Sequence, residues 1–304
     1  MEHTWVDVRG PVHVLDAGGP ARADDDAGGD PPALVLVHGL DGSAATWWDA
    51  APALARDHRV VAPDLPGFGR TRLRRRWRSL PAHADLVVKV AQLTVGARPD
   101  RRVVLVGTSM GGPVVLAAAA RHPDLVAGVG LVAPALPRQG TARVDTSWLP
   151  VVLPIRLPVL PWLEPLRRRG PDPHAEVRAS LDGRYAPGNR ESDAAFAEMV
   201  EVAEQRRTLD HVRGWTGTAR SLFTWLCRRG AFHDLAAEVE APVLLLEGGA
   251  DPIVPRAHVT AACERHPRWQ RVTLPHVGHL PQLEAPEPFA GHLRTVAGGL
   301  DAAG

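Results

Sequence analysis

Lysine is almost missing from this chain: of 35 basic residues among 304, only Lys89 is not an arginine. With so many alanines and prolines alongside, that skew points to a coding bias rather than a binding device. No charge excess exists either, because the formal net charge is +1, and this excludes a global attraction to nucleic acid. Cysteine is scarce, and Cys227 and Cys263 stand isolated. Two such residues make neither a disulfide framework nor a metal-ligand spacing, which leads us to expect a reduced, cytoplasmic protein. The opening Met1-Glu2-His3-Thr4-Trp5 has no basic n-region or apolar h-region, so no secretion signal is expected. No run of about twenty apolar residues is free of charge and proline, so no membrane span is expected. Internal repeats are also missing. The length does permit a full core and fits one large α/β domain carrying an insertion.

Short apolar runs alternate with longer helical patterns, the signature of a mostly parallel sheet wrapped by helices. Residues 5–9 and 12–16 read as an opening hairpin, followed by an acidic, turn-rich loop from Ala23 to Pro32. Further strands are expected at 34–37, 60–62, 103–106, 129–132, 243–246 and 270–274. Helices are expected at about 44–56, 82–95, 112–121, 255–266 and 286–297. Between Pro134 and Gly230 the strand rhythm stops, and only helical periodicities remain, over Ala194–Arg207 and Val212–Arg228.

The sharpest signal is Gly107-Thr108-Ser109-Met110-Gly111. It sits between the β-branched run Val103–Val106 and an alanine-rich helical run that starts with Gly112-Pro113. A strand, a very tight turn and a helix around G-x-S-x-G describe a nucleophile elbow. Glycine is required two residues either side of the serine, because a Cβ there would collide. Pro113 suits the first helical turn, where its missing N–H costs nothing.

Further along stand His38-Gly39, Asp64-Leu65-Pro66-Gly67-Phe68-Gly69, Gly248-Gly249-Ala250-Asp251-Pro252 and Gly278-His279…Glu284. With the elbow, these five signals in this order resemble the α/β-hydrolase superfamily over nearly the whole chain apart from the insertion. The resemblance implies a mostly parallel, eight-stranded sheet flanked by helices, with the site at the carboxyl ends of the strands. Residues 1–134 and 231–304 would form the core, and 135–230 an inserted helical cap.

A serine hydroxyl needs a base within hydrogen-bond reach and a third group to orient that base. Ser109 is the expected nucleophile, His279 the base and Asp251 the orienting acid, in the chain order of this superfamily. His276, Glu247 and Asp145 are the competitors. His276 is expected to be structural, Glu247 to satisfy local groups, and Asp145 lies too deep in the insertion. Glu284 is expected to tie down the histidine loop. The backbone N–H groups of Leu40 and Met110 are the expected oxyanion donors, each worth about 10²–10³ in rate. His38 is expected to shape its loop rather than carry protons.

A serine at 109 excludes the aspartate-nucleophile relatives, the epoxide hydrolases and haloalkane dehalogenases. Carbon–carbon bond hydrolases usually carry Asn before the serine and Trp after the histidine, where this chain has Thr108 and Leu280. The expectation is therefore a cofactor-free, metal-free serine esterase acting on a small-molecule lipophilic substrate through an acyl-enzyme. Carbon–carbon bond hydrolases, haloperoxidase-like relatives and a non-catalytic ligand-binding protein of the same fold are the alternatives. Substrate preference is expected to come from the cap, whose Trp148–Leu166 stretch is apolar and broken by five prolines. That stretch reads either as cap core or as pocket lining. Arg167-Arg168-Arg169 next to it admits peripheral contact with an anionic membrane surface. The run Arg70–Arg78, with six arginines and Trp77, reads as a solvated surface, with contact to a carboxylate or phosphate on the substrate as the alternative.

Overall fold

The computed structural model describes residues 1–20, 31–73, 78–138, 140, 172–206 and 209–298. Asp145, the apolar stretch 148–166, Arg167–Arg169, residues 74–77 of the basic run and most of the acidic loop after Ala23 lie outside the described residues.

Eight strands form one sheet: β1 (Glu2–Asp7), β2 (Pro11–Gly18), β3 (Ala33–Val37), β4 (Val60–Pro63), β5 (Val103–Thr108), β6 (Val126–Val132), β7 (Val243–Gly248) and β8 (Gln270–Leu274). Their spatial order is β1-β2-β4-β3-β5-β6-β7-β8, and only β2 pairs antiparallel with its neighbours. The central strands are continuous Val/Leu runs because both their faces are covered. Val35, Val37, Leu105 and Leu131 point into one apolar layer, while Leu34, Leu36, Val104 and Val106 point into the other. On the first face lie α2 (Leu80–Thr94) and α3 (Gly111–Arg121). On the second lie α1 (Ala51–Leu54) and the C-terminal helix at Pro286–Gly298.

Between β6 and β7 come α4 (Pro173–Asp182), α5 (Asp193–Gln205), α6 (Leu209–Cys227) and α7 (Arg229–Ala237). Helix α4 has no counterpart among the expected helices; Asp172 caps it by accepting from the Ala175 N–H, with Pro173 at its first position. The single helix expected at 44–56 is instead a 3-10 turn at Ala44–Trp47 followed by α1, because Pro52 begins a new helix. After β7, α8 (Arg256–Arg265) leads to β8, which is followed by α9 (Pro281–Glu284) and α10 (Pro286–Gly298). No helix among the described residues is long and apolar enough to cross a membrane.

Leu181, Tyr185 and Ala195 of the inserted segment pack with Leu280 and Leu283, forming a small third core. That core seats the insertion directly against the loop carrying His279.

Candidate active site

Strand β5 ends at Thr108 and α3 begins at Gly111, so two residues make the whole turn. Ser109 is forced to φ +51°, a left-handed conformation that costs a serine about 1–3 kcal/mol. Its neighbours hold it there: Ser109 N–H donates to Val132 O at 2.9 Å, and Ser109 O accepts from Gly112 and Ala135 N–H groups at 3.0 and 2.9 Å. A Cβ on Gly107 would overlap the Gly111 carbonyl, and one on Gly111 the Val37 carbonyl. The two flanking glycines are therefore dictated by close backbone approach.

Asp251 sits in the turn after β7, with Oδ1 accepting from the Ile253 and Val254 N–H groups at 2.7 and 3.0 Å. Its Oδ2 lies 2.8 Å from His279 Nδ1, and both side chains are only 4% exposed. A carboxylate only accepts, so in the neutral imidazole Nδ1 carries the proton and Nε2 keeps its lone pair. The His279 N–H donates to Arg184 O at 2.8 Å, an anchor supplied by the insertion. Glu284 brackets the histidine by accepting from Gly278 N–H at 2.7 Å and Leu280 N–H at 3.0 Å. The same carboxylate accepts from Ala186 N–H and Asn189 Nδ2, each at 2.9 Å, tying the loop to the insertion.

Ser109, His279 and Leu40 line one cavity of about 600 Å³. The insertion lines its far side with apolar Leu181, Met199, Trp215 and Phe223 beside charged Glu176 and Arg206. Gly39 brings the loop after β3 against the serine: a Cβ there would lie 3.0 Å from Ser109 Cβ. Among the described residues, neither the Leu40 nor the Met110 N–H is taken by an acceptor.

The described competitors lie elsewhere. Glu247 Oε1 accepts from Arg271 Nε at 2.8 Å and Thr273 Oγ1 at 2.8 Å. His276 is exposed and outside the cavity, with φ +61°. His38 is fully buried; its Nδ1–H donates to Gly39 O at 2.8 Å and Nε2 accepts from Leu65 N–H at 3.0 Å. Burial pushes its pKa down to about 4 against the pull of the nearby Asp64 carboxylate, so it stays neutral and shapes the loop. Asp64 itself accepts from Ala44 N–H, Arg70 N–H and His13 Nδ1. Burial raises the Asp64 pKa, but the His13 hydrogen bond and positive charges nearby outweigh it and hold the carboxyl below its usual range.

Two residues that sequence reasoning missed touch this loop from the insertion. Arg206, just past α5, donates from Nη1 to Asp41 O at 2.8 Å and from Nη2 to Gly42 O. His211 on α6 places Nε2 3.3 Å from Asp41 Oδ1 and Nδ1 3.1 Å from Gly67 O. No local motif announces them, since their partners, three carbonyls and the Asp41 carboxylate, lie more than 140 residues away. Arg70 also departs from expectation. It is an ion-paired residue bonded to Glu198 and Glu201 of α5 rather than a solvated one.

The family model for the alpha/beta hydrolase fold matches residues 32–286. The pyrrolizixenacetamide deacetylase of Xenorhabdus hominickii is 30% identical over 271 residues, covering 88% of this chain and 91% of that protein. A pimeloyl-[acyl-carrier protein] methyl ester esterase of Aeromonas hydrophila is 27% identical over 279 residues, covering 86% and 93%. Among solved structures, a putative lipase from Acinetobacter baumannii superposes with a TM-score of 0.74 at 20% identity, covering 100% of this chain and 93% of that one. Motif order, sheet topology and these matches agree: the chain belongs to the α/β-hydrolase family.

Proposed function

We propose that this hydrolase is a serine esterase that transfers the acyl group of small to medium lipophilic carboxylic esters to water through Ser109. The observation that carries the reading is the buried His279–Asp251 pair, whose histidine lines the same cavity as a serine held at positive φ. His279 Nε2 takes the Ser109 proton as Oγ attacks the ester carbonyl, and Asp251 stabilises the imidazolium that results. The Leu40 and Met110 N–H groups receive the oxyanion of the tetrahedral intermediate. His279 then returns the proton to the leaving alkoxide, releasing the alcohol and leaving acyl-Ser109. Water, deprotonated by the same histidine, attacks the acyl carbon, and the acid departs as Ser109 is reprotonated.

The insertion forms the cap of this enzyme, assigned to 135–230, and its apolar walls favour a lipophilic acyl or alcohol group. Its last two residues already begin at α7, whose Phe232 packs into the same apolar layer as α3. Thr108 and Leu280 weigh against carbon–carbon bond hydrolysis.

A panel of p-nitrophenyl esters of increasing chain length tests the reading, with a fluorophosphonate probe for the nucleophile. Turnover of some chain lengths and labelling lost in Ser109→Ala are expected. Folded protein that neither turns over esters nor labels at Ser109 refutes it.

A further inference from the structure

The geometry points to Arg206 as a positioning residue for the oxyanion hole, through which the cap sets the placement of the Leu40 N–H. This inference rests on the hydrolase reading above.

The loop after β3 is a tight turn closed by Gly42 N–H donating to Gly39 O at 3.1 Å, with Leu40 and Asp41 at its centre. Asp41 sits at φ +62°, the left-handed region required at the third position of a type II turn and unfavourable for a non-glycine residue. Such a conformation persists only where its surroundings over-determine it. Here those surroundings belong to the cap. The Arg206 guanidinium fork spans two successive carbonyls, Asp41 O and Gly42 O, directly after the Leu40 amide. A planar fork with fixed donor spacing defines both position and orientation of what it grips, which a lysine cannot do.

The side chain of Asp41 is held from a second cap helix. His211 Nε2 faces its carboxylate while His211 Nδ1 faces the Gly67 carbonyl, so the ring bridges the two loops at the strand ends. Burial raises the Asp41 pKa. The His211 hydrogen bond and the Arg206 charge outweigh it, so the carboxyl lies below its ordinary range. Arg206 Nε, by contrast, is shielded from solvent with no hydrogen-bond partner among the described residues. Burying that donor costs free energy that the two carbonyl bonds must offset. On the other side of the turn, a Cβ on Gly39 would lie 3.0 Å from Ser109 Cβ, so even one added methyl group would crowd the nucleophile. The turn is therefore clamped between the elbow and Arg206.

Oxyanion donors work only within about 2.7–3.1 Å of the developing charge, so a shift of a few tenths of an ångström in this turn is felt in rate. Arg206 also lines the cavity, but both of its hydrogen bonds go to the turn at Asp41 and Gly42. It acts through Leu40.

The test compares wild type, Arg206→Met and Arg206→Lys on the best p-nitrophenyl ester. Arg206→Met is expected to lower kcat about 10- to 100-fold, part of the loss seen when an oxyanion donor is removed, with KM changed less than about threefold. A trifluoromethyl ketone analogue, which forms an oxyanion-bearing adduct with the serine, should bind more weakly in proportion to kcat/KM. A non-reacting ether analogue of the same ester should bind equally to all variants. Arg206→Lys should fall between the two, and guanidinium ion should restore part of the activity of Arg206→Ala. If Arg206→Met does not fold, the lysine variant carries the test, with a kcat loss at constant KM expected. An unchanged kcat, or a loss confined to KM and to the ether analogue, overturns the inference. A wild type inert on every ester and unlabelled at Ser109 instead sinks the hydrolase reading, and this inference falls with it.

Discussion

The sheet and the insertion contribute in different ways to the same site. Each proposed reacting group comes from the end of a sheet strand: Ser109 after β5, Asp251 after β7, His279 after β8 and Leu40 after β3. The insertion between β6 and β7 supplies no such group, yet it fixes several of them. Arg184 O holds the His279 amide, Ala186 and Asn189 hold Glu284, and Arg206 and His211 hold the Leu40–Gly42 turn. Chemistry is laid out by a rigid parallel sheet, while the final placement of its loops is finished by a helical layer. Changes on the sheet side should therefore abolish reaction without loosening the fold, and changes on the insertion side should do both in part.

The largest effect is expected at the elbow. Ser109→Ala should lower kcat by about 10⁴ or more, and Asp251→Asn by about 10³–10⁴ by favouring the wrong histidine tautomer. Ser109→Ala should leave the melting temperature nearly unchanged, because alanine keeps the Cβ and with it the strain at φ +51°. A steep fall in melting temperature for the serine variant contradicts the division of labour.

Next comes Glu284, where sheet and insertion meet. One carboxylate accepts from Gly278, Leu280, Ala186 and Asn189. Glu284→Ala strands several donors, at about 1–3 kcal/mol for each one that water does not reach. We expect a loss of about 3 kcal/mol or more by denaturant unfolding, with kcat down at least tenfold as the His279 loop relaxes. Glu284→Gln should lie between, because it retains an acceptor. A variant as active and stable as wild type breaks the link between the two regions.

The two regions also differ in how much of them could be read from the sequence. Strands were legible because burial on both faces writes continuous Val and Leu runs, although β6 and β7 extend beyond the expected limits. The proposed serine, acid and base were legible because each occupies a turn whose glycines and prolines are sterically required. Helix α4 was hidden among prolines despite its Asp172-Pro173 start. Arg206 was invisible in principle: its acceptors, Asp41 O and Gly42 O, are main-chain atoms 165 and 164 residues away, and any residue can present a carbonyl. Sequence pattern records what local geometry demands and is silent on contacts made by tertiary packing to generic backbone.

Acid should act on both regions. His38, within the sheet domain, has its pKa pushed by burial down to about 4. His83 on α2, facing Thr218 of α6 at 3.0 Å, is pushed down to about 3 by burial and then by His38. Both lie below the value near 6.5 of the unfolded chain, so between those limits the unfolded state binds more protons. Stability is therefore full above about pH 6.5 and falls as pH drops toward 4, by up to about 1.4 kcal/mol per pH unit for each histidine. Urea midpoints at pH 7, 6 and 5 read this, and His83→Gln should remove about one proton from the slope. A midpoint independent of pH over that range rejects both assignments.

The smallest effect is expected at Arg70, which joins the two regions without touching the reacting groups. Its side chain is 11% exposed and that of Glu198 8%, so the pair is desolvated, whereas Glu201 at 57% is not. The Arg70 N–H also donates to Asp64 at 2.8 Å, and substitution leaves that backbone bond in place. Arg70→Met therefore removes only the clasp on α5 and leaves the Glu198 carboxylate without its cation. Breaking such a pair one-sidedly costs more than the pair contributes, about 1–3 kcal/mol here because Glu198 can turn toward water. Arg70→Met/Glu198→Gln should recover part of that loss, since no uncompensated charge remains. Hydrogen exchange locates the effect: amides of Asp193–Gln205 should exchange faster while those of β5 and α3 stay protected. Turnover should change less than about threefold, because Arg206 and Glu284 still hold the loops on which rate depends. Equal loss of protection in β5 and α5 would mean that sheet and insertion unfold as one cooperative unit, and that the insertion's role cannot be separated from the stability of the sheet.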